Sequence, residues 1–116
     1  MHQQHENEIM AITKIIKETV DCEKIYLFGS YAYGEAHRDS DLDFYVVIPD
    51  DADRPIEVMH QIRANLGVLG QKMPIDIIAM RSSRFADLSV LPSMERKIVR
   101  EGILLYEQSG FSQRMV

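Results

Sequence analysis

Apolar side chains recur early in the chain at Ile9, Ile12, Ile16 and Val20. Spacings of three and four residues put them on one face of an amphipathic helix over residues 6–20, a stripe expected to be core. The period then changes. Lys24–Phe28 is a short run of β-formers ended by Gly29-Ser30, which predicts a strand closing in a tight turn. Residues 31–36 predict a helical turn whose first backbone N–H groups lack intrahelical partners. Leu42–Ile48 is nearly continuous in β-formers, as expected of a strand buried on both faces, and Pro49-Asp50-Asp51 stops it.

Asp53 precedes a further helix, with Pro55 in its first turn, Ile56, Met59, Ile62, Leu66 and Leu69 expected inside, and Gly70 closing it. Met73–Met80 predicts a third strand, followed by a polar break around residues 81–83. Ser93 is placed to cap a short helix ending at Arg100, Gly102 stands where a helix-terminating glycine belongs, and Ile103–Tyr106 predicts a last strand. Helices alternating with strands in this order describe an α/β fold, a mixed sheet of about four strands with helices packed on it. There are no internal repeats or interdomain linkers. The 116 residues predict a single domain over 1–116, its core spanning about 6–106 and its ends, 1–5 and 108–116, flexible.

Composition narrows the function. An apolar content of 46% is enough to form a core without disulfides or structural metals. The single Cys22 has no internal partner, and neither a signal-peptide pattern nor a membrane-length apolar run is present, so a cytoplasmic protein with no membrane association is expected. A net charge of -5 argues against binding nucleic acid through its backbone, which needs clustered Lys and Arg. Free nucleotides remain compatible, since a metal can supply positive charge.

The candidate chemistry lies in three acids and a turn. Side chains alternate faces along a strand, so Asp41 and Asp43 point the same way with Cα atoms about 6.6 Å apart. Two anions in one small space call for a cation, and Mg²⁺ suits carboxylate oxygens combined with water and phosphate. Asp76 interrupts an otherwise apolar strand, Pro74-Ile75-Asp76-Ile77-Ile78, where an unpaired carboxylate is costly. Beside the 42–48 strand it either completes the metal cluster or accepts the proton of an attacking hydroxyl. Gly29-Ser30, between a strand and a helix start, lets a phosphate approach the backbone and adds a hydroxyl donor.

Ser30 and Asp41 are spaced to give the pattern G-S-x10-D-x-D, within Phe28-Gly-Ser-Tyr-Ala-Tyr-Gly-Glu-Ala-His-Arg-Asp-Ser-Asp-Leu-Asp-Phe44. Here the chain resembles the DNA polymerase β-like nucleotidyltransferase superfamily, and most of all its MNT-type minimal members, antitoxins encoded beside HEPN-domain toxins. Ala32, Gly34, Ser40, Asp76 and the ending Ile98-Val-Arg-Glu-Gly-Ile-Leu-Leu-Tyr106 reinforce the likeness. The resemblance implies the nucleotidyltransferase fold over about 6–106. It also implies ATP as substrate, two Mg²⁺ ions held by Asp41 and Asp43, Asp76 completing the catalytic carboxylates, and Gly29 and Ser30 gripping the β and γ phosphates. One position departs from the pattern. Where many relatives carry Ala-Arg-Gly, this chain has Ala32-Tyr33-Gly34, and Arg38, Arg54 or Lys72 would have to supply the missing charge.

Other polar clusters carry less. Asp50, Asp51 and Asp53 are expected to be an inert solvated turn. His2, His5 and His60 are assigned no ligand role, and His37 is weighed as a loop residue facing solvent rather than substrate. Tyr31 and Tyr33 are expected to pack, or to bond a loop through a hydroxyl, rather than to stack a base. Relatives that modify antibiotics hold the acceptor in an added helical domain, for which this chain has no residues left. The acceptor is therefore expected on another polypeptide, and the resemblance makes that a HEPN-type ribonuclease toxin carrying the hydroxyl that receives AMP. The alternative is a non-catalytic module that blocks a toxin by occlusion around a vestigial nucleotide site. Assembly with itself or with a partner fits either.

Overall fold

The computed structural model describes residues 3–34, 41–69 and 74–108. In chain order these form α1 (Gln3–Thr19), β1 (Lys24–Phe28), α2 (Gly29–Ala32), β2 (Leu42–Ile48), α3 (Pro55–Leu66) with a 3-10 turn at Gly67–Leu69, β3 (Ile75–Arg81), α4 (Ser82–Ser89), α5 (Met94–Glu101) and β4 (Ile103–Glu107). The four strands make one sheet in the order β3-β2-β1-β4. β1 runs antiparallel to both β2 and β4, while β2 and β3 are parallel. The expected mixed sheet of four strands is therefore present.

Strand alternation divides the interior in two. Phe44, Val46 and Ile48 of β2 join Ile25 and Leu27 of β1, Ile77 and Ala79 of β3, and the α1 stripe of Ile9, Ile12 and Ile16 on one face of the sheet. The opposite face carries Tyr45 and Val47 with Tyr26, Phe85 of α4 and Ile98 of α5. β2 is covered on both sides, as its unbroken apolar run implies: Phe44, Tyr45, Val46 and Ile48 are fully buried. Burial of side chains of this size contributes about 1.5–3 kcal/mol each.

Three expectations are corrected. The buried face of α3 is Val58, Ile62 and Leu66, with Met59 partly buried, whereas Ile56 and Leu69 lie exposed. The helix ends at Leu66 and the 3-10 turn swings Leu69 off the helical stripe; Gly70, given as its closing residue, and Met73, as a strand start, lie outside the described residues. The polar segment after β3 is not a simple break but the start of α4. That helix has no cap from its own flank; instead the Asp50 carboxylate accepts a 2.9 Å bond from the Ser83 amide in its first turn. Asp50, read as inert, thus ties the turn after β2 to the start of α4. At the ends, α1 begins at Gln3 and the Gln108 amide donates to Glu23 O at 2.8 Å.

α5 is fixed at both ends. The Ser93 hydroxyl accepts from the Arg96 amide at 3.1 Å, the predicted cap. Gly102 ends the helix in an extended conformation rather than a left-handed one. Its lack of a side chain matters for space, since a Cβ there would lie 2.6 Å from Ile98 O and 3.1 Å from Leu27 O of β1. In the first turn of α5, Glu95 also accepts: buried Tyr45 donates its hydroxyl to this buried carboxylate at 2.9 Å. Burial first, then this bond and the carboxylate charge, push the Tyr45 phenol well above its ordinary range.

Tyr45→Phe leaves the Glu95 carboxylate buried without its donor and is expected to cost about 1–3 kcal/mol of unfolding free energy. Urea denaturation of the two proteins measures it. A second change, Glu95→Met, is expected to recover most of that loss, because both polar partners are then gone.

Candidate active site

The acids belong to the sheet face that carries Tyr45. Asp43 precedes Tyr45 by two residues and shares its face, Asp41 lies two residues earlier still, and Asp76 leads into Ile78 and Met80, which pack in the same cluster. Parallel pairing sets Asp43 directly opposite Asp76, and antiparallel pairing sets Phe28, next to Gly29, opposite Asp43. Carboxylate oxygens of Asp41, Asp43 and Asp76 all lie within 4.8 Å of one another. The structure brings together all three acids expected to cooperate.

Gly29 belongs to the same construction. Its φ of +80° favours glycine, and a Cβ on it would clash with the Asp43 carboxylate. The turn and the acid therefore fit only because this position is bare. Ser30 follows in α2, partly buried. α2 starts at Gly29 itself, two residues before the helical turn expected at 31–36, of which residues 35 and 36 lie outside the described residues.

The electrostatics of the cluster are those of like charges crowded together. The Asp43 carboxyl is pushed from 3.8 up to about 6, by burial first, then by the charges of Asp76 and Asp41 and by a hydrogen bond with Asp76. Hard oxygen donors in this number and spacing fit one or two divalent ions of the Mg²⁺ kind, which take oxygens at about 2.0–2.1 Å and sit about 3.5–4 Å apart in paired sites. Asp76 is the open end of the group, its side chain 58% exposed.

Two cations, Arg63 beside the acids and Lys97 beside Tyr33 of the turn, were not singled out in the sequence. Arg63 of α3 reaches round the edge of β3, its guanidinium 3.9 Å from Asp76 Oδ1 and within 3.5 Å of Ile75 O. Lys97 of α5 lies with its Nζ 4.6 Å from the centre of the Tyr33 ring. The Tyr33 phenol is raised by burial first, lowered by hydrogen bonding at the Gly29 backbone, and raised again by the charges of Glu101 and Asp43. Tyr31 is buried, with the His5 ring edge-on at 5.5 Å. Of the three residues weighed as substitutes for the missing Arg, Arg54 is paired with Glu57 at 3.5 Å, while Arg38 and Lys72 lie outside the described residues. His37 lies there too, and His60 is exposed. Periodicity could mark Arg63 and Lys97 only as exposed helical residues, since their nearness to the site depends on how α3 and α5 cross the sheet.

Comparison with known proteins gives consistent results. A family model described as polymerase beta nucleotidyltransferase matches residues 10–110. The chain is 41% identical over 54 residues to the protein adenylyltransferase MntA of Shewanella oneidensis, a match covering 46% of this chain but only 37% of that protein. With a provisionally named protein adenylyltransferase of Methanocaldococcus jannaschii it shares 31% identity over 102 residues, 80% of this chain and 96% of the other. Its backbone also matches that of a toxin-antitoxin crystallised with AMP-PNP, with a TM-score of 0.55 and 24% identity over 89% of this chain and 76% of that one.

The crowding of Asp43 has a measurable consequence. A carboxyl whose pKa is raised by folding binds its proton more tightly in the native state, so without divalent ions stability is expected to fall as pH rises from about 4 through about 6. Thermal melts across that range check the sign. At pH 8 without metal, Asp43→Asn is expected to raise Tm by roughly 2–4 °C, a figure reduced for solvent screening at a half-exposed group. Adding Mg²⁺ is expected to raise the Tm of the native chain and not that of the variant.

Proposed function

The chain belongs to the polymerase β nucleotidyltransferase family, and from that premise we propose that it transfers AMP from ATP to a side-chain hydroxyl, a tyrosine, of a partner protein. The partner in this reading is a HEPN-type ribonuclease toxin, silenced by the modification, so that the chain acts as its antitoxin in the cytoplasm. The observation that carries the proposal is the placement of Asp43 between Asp76 on one neighbouring strand and the bare Gly29 turn at the end of the other. Its kinship with proteins named as adenylyltransferases supports the transferred group, and the toxin-antitoxin of similar fold supports the partner class.

In this reaction Gly29 and Ser30 hold the β and γ phosphates, the glycine by letting them close to the backbone and the serine by its hydroxyl. Asp41, Asp43 and Asp76 hold Mg²⁺, which when bound lowers the acceptor hydroxyl's pKa and neutralises charge on the departing pyrophosphate. Asp76, the most exposed of the three, faces the incoming acceptor and takes up its proton where it does not ligate metal. The acceptor oxygen bonds to the α-phosphorus, and the bond from that phosphorus to the bridging oxygen of pyrophosphate breaks. The net charge of -5 supports a free nucleotide and a protein acceptor over nucleic acid. No described helix is long and apolar enough to cross a membrane.

Tyr33, standing where a cation was expected, favours a second reading in which the fold blocks a toxin by binding alone. Incubation with labelled ATP, Mg²⁺ and the product of the neighbouring gene separates them. Label on that partner is expected, and Asp41→Asn with Asp43→Asn is expected to reduce it about 100-fold or more while the complex still forms. Full neutralisation of the toxin by the double variant would favour occlusion.

A further inference from the structure

Three carboxylates beside a triphosphate leave negative charge that metal ions at the acids do not reach, because the outer phosphates lie toward the Gly29 turn. Arg63 serves the other end of the cluster, at Asp76. On the Gly29 side the structure offers Lys97. We propose that Lys97, seated on the ring of Tyr33, is the phosphate-binding cation of this site, moving from the ring onto the outer phosphates of the bound nucleotide; this rests on the nucleotide reading above.

Four observations lead there. The Lys97 ammonium lies 4.6 Å over the Tyr33 ring, a cation-π distance that holds the charge beside the turn, with Glu101 in the same groove. Tyr33 is tied to the turn: its amide donates to Gly29 O at 3.0 Å, and it lies within electrostatic reach of Asp43. The helix that carries Lys97 is fixed in relation to the site, since α5 covers the acid-bearing face through Ile98 and the Glu95–Tyr45 bond and closes on β1 at Leu27 through Gly102. Finally, Lys97 opens onto a groove of about 340 Å³ lined by Pro92, Ser93, Arg96, Lys97, Arg100 and Glu101, which leaves its long stem room to swing. Within this groove three basic side chains face one acid. In a chain of net charge -5, that groove is a local reversal of sign.

The substitution at Tyr33 then has a purpose. An Arg on the turn would supply its own charge from the turn, whereas a Tyr there supplies a seat for a charge delivered by α5. A flexible ammonium with three donors suits phosphate as a point charge, and the aromatic seat limits the freedom it loses on binding.

Calorimetry of the full chain in Mg²⁺ tests this with ATP, AMP and inorganic tripolyphosphate as probes. Lys97→Met is expected to weaken ATP and tripolyphosphate about 10-fold and to leave AMP within about twofold. Lys97→Arg is expected to restore ATP binding to within about threefold, Tyr33→Leu to reproduce the loss, and Tyr33→Phe, which keeps the ring, to retain affinity. Lys97 is exposed, so these variants are expected to fold. Unchanged ATP binding in Lys97→Met, or an equal loss for ATP and AMP, would overturn the assignment while leaving the nucleotide reading intact. Failure of the native chain to bind ATP at all would overturn both.

Discussion

The site depends on a repulsion that the fold is built to withstand. Asp41, Asp43 and Asp76 converge within 4.8 Å, and two unit charges at about that distance repel by about 3 kcal/mol at the effective dielectric of a protein surface. Arg63, 3.9 Å from Asp76 Oδ1, offsets only part of this at the open end of the cluster. What holds it is the rest of β2, where Phe44, Tyr45, Val46, Val47 and Ile48 are buried on both faces, at about 1.5–3 kcal/mol for each large side chain. A strand anchored that firmly keeps its first residues in register with β3 even when their charges oppose it. The cost is retained at a site that a bound cation would relieve.

The two faces of the sheet divide the work. α1 and α3 cover the larger core, and α3 reaches the acids through Arg63 at the sheet edge. α4 and α5 cover the face the acids occupy, so whatever surrounds a bound nucleotide on that side is set by these two short helices. Short helices have little stability of their own, and both depend on contacts from elsewhere: α4 on the Asp50 carboxylate, α5 on the Ser93 cap, Glu95 and the close approach of Gly102 to β1.

That dependence explains which elements were legible in the sequence. β1 and β2 could be read residue by residue because a run of β-formers and a turn at each end state the same thing. The face of α3 was read too broadly, because Ile56 and Leu69 match the helical period, yet one precedes the contact with the sheet and the other follows a change to 3-10 geometry. α4 was invisible because its one buried residue is Phe85 and its cap comes from thirty-three residues away. In the site, alternation alone placed Asp41 and Asp43 together. The direct pairing of Asp43 with Asp76 rests on the β2–β3 register, and the nearness of Lys97 and Arg63 on helix placement, which a single sequence does not encode locally.

Sheet order also separates the two halves of the proposed reaction. Across the acid-bearing end the residues run Asp76, Asp43, then the Gly29 turn, following β3, β2 and β1. In-line displacement at phosphorus needs the attacking oxygen and the leaving pyrophosphate on opposite sides. With the phosphates on the Gly29 side, the acceptor must arrive from the Asp76 side, which is the exposed edge of the sheet. A macromolecular acceptor needs that openness, since a tyrosine on a folded partner can reach only a carboxylate that is not roofed over. In the proposed reaction the half-buried Asp43 would then serve both halves, and the exposed Asp76 the partner.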